Sequence, residues 1–199
     1  MISISPERLL AIVEGALLAA GQPLSLERLE SLFDEGECPP RESLRAALAT
    51  LTRACEGRGV EMVEVASGWR YQVRRELAPW VGRLWEERPI RYTRALLETM
   101  ALIAYRQPVT RAEIEEVRGV AVSSSIIKTL LEREWVRVVG HREVPGRPAL
   151  YATTKRFLDY FNLKGLDDLP PLSELRDLNA IAKDLEHGIL LPPKAERES

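Results

Sequence analysis

Hydrophobic positions along the chain change their period several times, and each change marks an element. Ser5-Pro6-Glu7-Arg8 offers an N-cap serine, a proline at the first helical position and an early acid, three signals of a helix start. Leu9, Leu10, Val13, Ala16, Leu17 and Ala20 then share one face at helical spacing, and Gly21 stops the run. Ser25 followed by Glu27 opens a second short helix carrying Leu26, Leu29, Leu32 and Phe33. After a break at Glu37-Cys38-Pro39-Pro40, a third helix places Leu44, Leu48, Leu51 and Cys55 at steps of three and four, and Gly57 and Gly59 end it. The period then drops to two. Val60 to Val65 and Trp69 to Val73 alternate and are joined by Ala66-Ser67-Gly68, which predicts a two-stranded ribbon.

The same series recurs. Arg94 to Tyr105 predicts a helix with Leu96, Leu97, Met100, Ile103 and Ala104 inward. Thr110 caps a second, with Glu113 as the reciprocal acid of a capping box and Ile114 and Val117 toward the core. Ser123 or Ser124 caps a third, striped by Ile126, Ile127, Leu130 and Leu131. Trp135 to Val139 reads as a strand, His141 to Pro148 as a polar loop and Ala149 to Ala152 as the return strand. Thr153 or Thr154 then starts a helix through Phe157, Leu158, Tyr160 and Phe161.

A direct repeat supports this parsing. Gln22-Pro23-Leu24-Ser25 matches Gln107-Pro108-Val109-Thr110 at an offset of 85, and Leu29/Ile114, Glu30/Glu115 and Leu32/Val117 continue it. Matched positions within matched element orders indicate a duplicated domain. Three helices and a ribbon make a winged helix, a helix-turn-helix with a hairpin wing. The expected fold is therefore mainly α with small β-hairpins: two tandem winged-helix domains and a flexible C-terminal tail. The boundaries are 1–74 for the first domain, 75–91 for a connecting helix or linker, 92–161 for the second domain and 162–199 for an acidic, proline-containing tail. In the linker Trp80, Val81, Leu84 and Trp85 are apolar, and in the tail Leu175, Leu178, Ile181, Ala182 and Leu185 permit one more amphipathic helix.

Composition removes most chemistry. Among 199 residues there are 2 Cys and 2 His. Cys38 and Cys55 do not staple a secreted scaffold, and with His141 and His187 they show no metal-ligand spacing, so neither a disulfide framework nor a structural zinc is expected. The chain has no phosphate-binding or dinucleotide glycine motif and no nucleophile elbow. His141 lies in the second wing beside Arg142 and Glu143, Cys55 sits on the core stripe, and the pairs Glu86-Glu87, Glu115-Glu116 and Asp167-Asp168 fall on solvated faces or in linkers. The expectation is a protein without catalysis, metal or cofactor. No apolar run reaches the roughly 20 residues that span a bilayer, and the first residues lack a signal peptide's basic start and apolar core, so a cytoplasmic protein is expected. Arg outnumbers Lys 23 to 5, a bias that fits either a GC-rich genome or life at high temperature.

Charge bears on the partner. The total is 28 basic against 30 acidic residues, but residues 1–90 carry net −3, residues 91–161 net +4 and the remainder net −3. Only the second domain is attractive to phosphate. Its third helix sets Lys128 and Arg133 against Glu132 and Glu134, and its serines suit capping as well as base contact. The first domain's third helix sets Arg41, Arg45 and Arg53 against Glu42 and Glu56. A winged-helix DNA-binding transcriptional regulator is thus the alternative reading, and a protein-binding scaffold the favoured one.

The second wing and its surroundings carry a resemblance. Residues 105–120, YRQPVTRAEIEEVRGV, together with Ile127 to Arg133, Val144 to Tyr151, Thr153 to Phe161 and Leu166 to Leu172, resemble the signature of the segregation and condensation protein B (ScpB) family. The likeness is strong over most of 92–173, while the first domain matches in architecture. Two departures stand out: Trp135 occupies a place where a smaller aliphatic residue is expected, and Ser123-Ser124-Ser125 replaces a more varied polar turn. The resemblance implies tandem winged helices that form the accessory subunit of a bacterial SMC–kleisin complex in the nucleoid, bind the central region of the kleisin ScpA, reach the SMC ATPase through it, and dimerise through the first domains. Chromosome condensation and segregation during cell division would be the role, with DNA contact indirect or weak. Implied kleisin contacts are Arg106, Arg111, Arg118, Arg147, Tyr151, Phe157 and Phe161, and implied dimer contacts are Leu10 and Leu44.

Overall fold

The computed structural model describes residues 4–34, 36–84 and 92–171, which divide into two compact units, 4–84 and 92–171. In the first unit α1 spans Pro6–Ala20, and the Ser5 hydroxyl accepts from the Arg8 N–H at its start. Gly21 closes it in the left-handed region at φ 58°, where a residue without Cβ is least strained. Helix α2 is only Leu26–Glu30, so Leu32 falls beyond it and is exposed. Helix α3, Arg41–Ala54, ends at Cys55 rather than at the glycines that follow. The Arg74 guanidinium donates to the carbonyls of Cys55 at 3.0 Å and Arg58 at 2.8 Å, which ties the turn after α3 to the end of the wing.

Strands β1 (Val60–Val65) and β2 (Gly68–Val73) pair antiparallel in the predicted register. A further pairing was not visible in the hydrophobic pattern. Leu24 and Trp69 exchange two backbone hydrogen bonds of 2.9 Å, so β2 lies between β1 and the chain entering α2. The core is Leu9, Val13 and Leu17 of α1 against Leu29, Leu44, Leu48, Leu51 and Cys55.

Residues 75–84 depart from the expected connecting helix. A 3₁₀ turn at Arg75–Leu77, the single α turn α4 (Ala78–Val81) and a second 3₁₀ turn at Gly82–Leu84 take its place. Pro79 suits only a helix start and Gly82 an interruption, which prevents a continuous apolar face from forming. Trp80 and Leu84 are accordingly exposed.

The second unit repeats the plan. Helix α5 is Arg94–Arg106, β3 is Val109–Thr110, α6 is Arg111–Arg118 and α7 is Ser124–Glu132, with Ser123 as its N-cap. Strands β4 (Val136–His141) and β5 (Ala149–Thr153) form the wing, and α8 (Lys155–Tyr160) is capped by Thr154. The sheet order is β3-β5-β4, so Val109 meets Tyr151 as its repeat mate Leu24 meets Trp69. The Gln107 side chain fixes this crossing: its Oε1 accepts from the Thr153 N–H at 2.8 Å and hydroxyl at 3.0 Å, and its Nε2 donates to Ala104 O.

Trp135 is core rather than strand, 2% exposed, with ring centroids of Tyr92, Tyr160 and Phe161 at 5.3, 4.6 and 5.7 Å. The Arg133 guanidinium lies over the Tyr92 and Trp135 rings. The unit also extends past residue 161. Leu163 and Leu169 pack on its core, and the Tyr105 hydroxyl donates to the Pro170 carbonyl. The tail helix expected near Leu175 to Leu185 lies outside the described residues.

Candidate functional site

The helix-turn-helix of the second unit is held by two glutamates. Glu113 completes the expected capping box: its carboxylate accepts from the Thr110 N–H at 2.8 Å and hydroxyl at 2.9 Å, and the Glu113 N–H donates to Thr110 Oγ1. Its other oxygen accepts from Arg142 at 2.6 Å, which ties the wing to the start of α6. These donors, the Thr110 backbone foremost, hold the Glu113 carboxyl below its ordinary 4.5. Glu115 Oε1 accepts from the Val122 N–H and from Arg111 Nε, both at 2.9 Å, and so fixes the turn between α6 and α7. Its carboxyl is lowered for the same reason, the Val122 backbone donor first and Arg111 second.

The outer face of α7 is what such a fold would turn toward a partner. It exposes Ser124, Ser125, Lys128, Leu131 and Glu132. Lys128 Nζ lies 3.6 Å from Glu132, the Ser123 and Ser125 hydroxyls are 2.6 Å apart, and Ser124 accepts from Arg111 at 3.1 Å. Lys128 is the sole cation on this face, and it is partnered. Phosphate attraction requires surplus positive charge, which α7 does not present.

The surplus sits on the wing. Arg137 and Arg147 are exposed, and their guanidinium groups have no hydrogen-bond or ion-pair partner among the described residues. Arg147 stands at the wing tip with φ 37°, after Gly146 at φ 84°, in a turn closed by its own N–H donating to Val144 O. Val138, Val139 and Val144 are exposed beside them. His141, expected in a loop, is the last residue of β4.

The residues implied as kleisin contacts separate into three groups. Arg106 and Arg147 are exposed, and Arg111 is on the surface within its pair with Glu115. Tyr151 and Phe161 are half-buried against the core. Phe157 and Arg118 leave the candidate set. Phe157 is 3% exposed and stacks on Phe161 at 4.8 Å. The Arg118 side chain is 8% exposed and pairs with Glu98 of α5 at 3.1 Å. A helical stripe or a charge does not say which side faces the core, and both residues face inward. Arg94 and then Arg118 lower the Glu98 carboxyl. Arg137, which no motif singled out, becomes a candidate because its neighbours leave it exposed.

In the first unit Leu44 is wholly buried and cannot form a surface seam. Leu10 is half-buried and lines a groove of about 650 Å³ between α1 and α3. Ile4, Leu9, Pro39, Pro40, Ala46 and Ala47 supply most of its apolar wall, and Cys38 lies on its rim. Arg41 is paired with Glu30 at 2.6 Å and Glu27 at 3.3 Å, while Arg45 and Arg53 of α3 are exposed. Among the described residues no group of three or more His, Cys, Asp or Glu is placed to hold a metal, and no helix is long and apolar enough to cross a membrane.

Two units, each a helix-turn-helix followed by a hairpin wing, define the chain as a tandem winged-helix protein. The family is explicit in the sequence. Residues 11–172 match the model of the segregation and condensation complex subunit ScpB, and the chain belongs to that family. It is 58% identical over 170 residues to the segregation and condensation protein B homolog of Coxiella burnetii, covering 85% of this chain and 81% of that one. It is 44% identical over 175 residues to segregation and condensation protein B of Syntrophotalea carbinolica, covering 88% and 87%. A solved structure described as a dimer of the ScpB N-terminal domain complexed with a ScpA peptide is 28% identical, covers 40% of this chain and 96% of that one, and superposes with a TM-score of 0.35, which is too loose to transfer any contact.

Proposed function

We propose that this chain is the non-catalytic accessory subunit of a bacterial SMC–kleisin complex, that it binds the central region of ScpA, and that it supports chromosome condensation and segregation during cell division in the cytoplasm. Membership in the ScpB family supports the assignment to the complex. The observation that carries the mode of action is the outer face of α7: a fully capped helix-turn-helix whose one exposed lysine is paired, beside an exposed Leu131. That surface suits a protein partner better than a phosphate backbone. On this reading the second unit holds ScpA through Arg106, Arg111, Arg147, Tyr151 and Phe161. The α1–α3 groove around Leu10 belongs to the homodimer seam, and two joined chains make capture of ScpA bivalent. The SMC ATPase is reached through ScpA, so DNA contact is indirect or weak.

The test is the light-scattering mass of the full chain, alone and with ScpA, beside titration with duplex DNA at stepped salt. A dimer mass that rises on adding ScpA, with DNA binding absent or weak, is expected. Tight duplex binding with a steep salt slope and no mass change with ScpA would establish the DNA-binding regulator instead.

A further inference from the structure

Both wings have the same topology but opposite edges. In each, the second wing strand is central and the first is outermost, because the chain before the second helix pairs with the return strand. An outermost strand presents unpaired backbone groups, and proteins blunt such edges with charge or by turning apolar side chains inward. Strand β1 follows that rule beyond its exposed first residue, Val60: Met62 and Val65 are buried, and the strand carries two acids, Glu61 and Glu64. Strand β4 does not. Only Val136 faces the core, and then Arg137, Val138 and Val139 are exposed in succession, with both valines 44% exposed. A register shift between Val138 and Gly140 turns two consecutive β-branched residues outward. No acid lies on β4 or β5, and the Arg137 guanidinium has no hydrogen-bond or ion-pair partner among the described residues.

We propose that the outer edge of β4 is a docking strand for an extended peptide segment that alternates apolar and acidic residues, held by backbone pairing with the valines as apolar contacts and Arg137 as the counter-charge. Charge selects this occupant. A second copy of the same strand would bring like-charged arginines onto one edge, and duplex DNA has no use for adjacent exposed valines and would find α7 neutral. The acid-bearing β1 would repel the same segment. The inference rests on the ScpA reading above, in that the segment belongs to ScpA, but it places that segment on the edge of the sheet rather than in a helix groove.

The experiment is hydrogen–deuterium exchange of the full chain with and without ScpA, together with calorimetric titration of ScpA into Arg137→Glu and Arg53→Glu variants, Arg53 being an exposed residue of the first unit outside the α1–α3 groove. Slowed exchange of residues 137–141 is expected, with Arg137→Glu about tenfold weaker in ScpA binding and Arg53→Glu unchanged. Unchanged circular dichroism of Arg137→Glu, an exposed site, separates loss of binding from loss of fold. ScpA binding with unprotected β4 amides and equal affinity for Arg137→Glu would overturn the edge docking and leave the ScpA reading intact. No ScpA binding at all would overturn both, and protection of β4 by a 30-base-pair duplex instead would make the wing a nucleic-acid arm.

Discussion

The two winged-helix units share element order and strand topology yet are completed differently. In the first, α1 and α3 pack leucine on leucine and leave an apolar groove open beside them. In the second, Trp135 fills the centre, Tyr92, Tyr160 and Phe161 close around it, and the chain continues over the core to Leu169. The wings diverge likewise, β1 acidic and inward-packed, β4 basic with exposed valines. A duplicated frame thus keeps its backbone crossings and varies what fills and faces them. Duplication leaves each copy free to keep a different surface, provided the pairings that define the wing persist.

The comparison breaks most sharply at Trp135. Trp135→Ala removes the centre of an aromatic cluster and is expected to destabilise the second unit by about 3–5 kcal/mol, read as an early phase in urea unfolding followed by circular dichroism. A single unaltered transition would refute the central role of that ring. In the first unit the counterpart is Gly68, at φ 129°, where an added Cβ would stand 2.1 Å from Leu24 O and 2.6 Å from Ser25 N. Both neighbours are backbone and cannot swing aside, so Gly68→Ala should cost about 3 kcal/mol and break the Leu24–Trp69 crossing. Faster exchange of the Leu24 and Trp69 amides is the direct readout.

A smaller effect is expected at Glu113. Its folded carboxyl titrates below 4.5, so the stability it contributes is complete above about pH 4.5 and is lost as pH falls through the lowered value. Glu113→Gln keeps an acceptor but loses the charge. It should lower stability by about 1 kcal/mol at pH 7 and flatten the acid limb of the stability curve, measured as urea midpoints between pH 3 and 7. An undiminished acid limb would assign the effect to other carboxylates such as Glu98. The least effect belongs to Lys128→Ala on the exposed α7 face, within about 0.5 kcal/mol, since its pair with Glu132 is solvent-screened. A destabilisation above that in thermal melts would mean that the face is already packed against something.

Much of this frame was legible from residue patterns. Ser5, Ser25 and Thr110 cap helices where side-chain oxygens and following acids indicated, and of the two threonines offered for the last helix it is Thr154 that caps, because capping is local and depends on neighbours three positions away. The winged repeat was legible because its matched Pro-Leu-Ser and Pro-Val-Thr segments enter equivalent helices. The crossings of Leu24 with Trp69 and Val109 with Tyr151 were not, since strands of one or two residues carry no period. The candidate contacts fared unevenly for the same reason. Arg118 and Arg106 are both helix-terminal arginines, and only packing against Glu98 separates the buried one from the exposed one.

The sequence by itself determined the duplicated winged-helix plan, the strand alternation, the helix starts, the division of charge and the family. Those properties follow from residue types within a few positions of one another, or from long motifs in order. Only the tertiary structure decided that Leu44, Phe157 and Arg118 are interior, that Trp135 is a core centre and that β4 is an exposed basic edge. Which side of an element meets solvent is set by neighbours far away in the chain, and no local period encodes it.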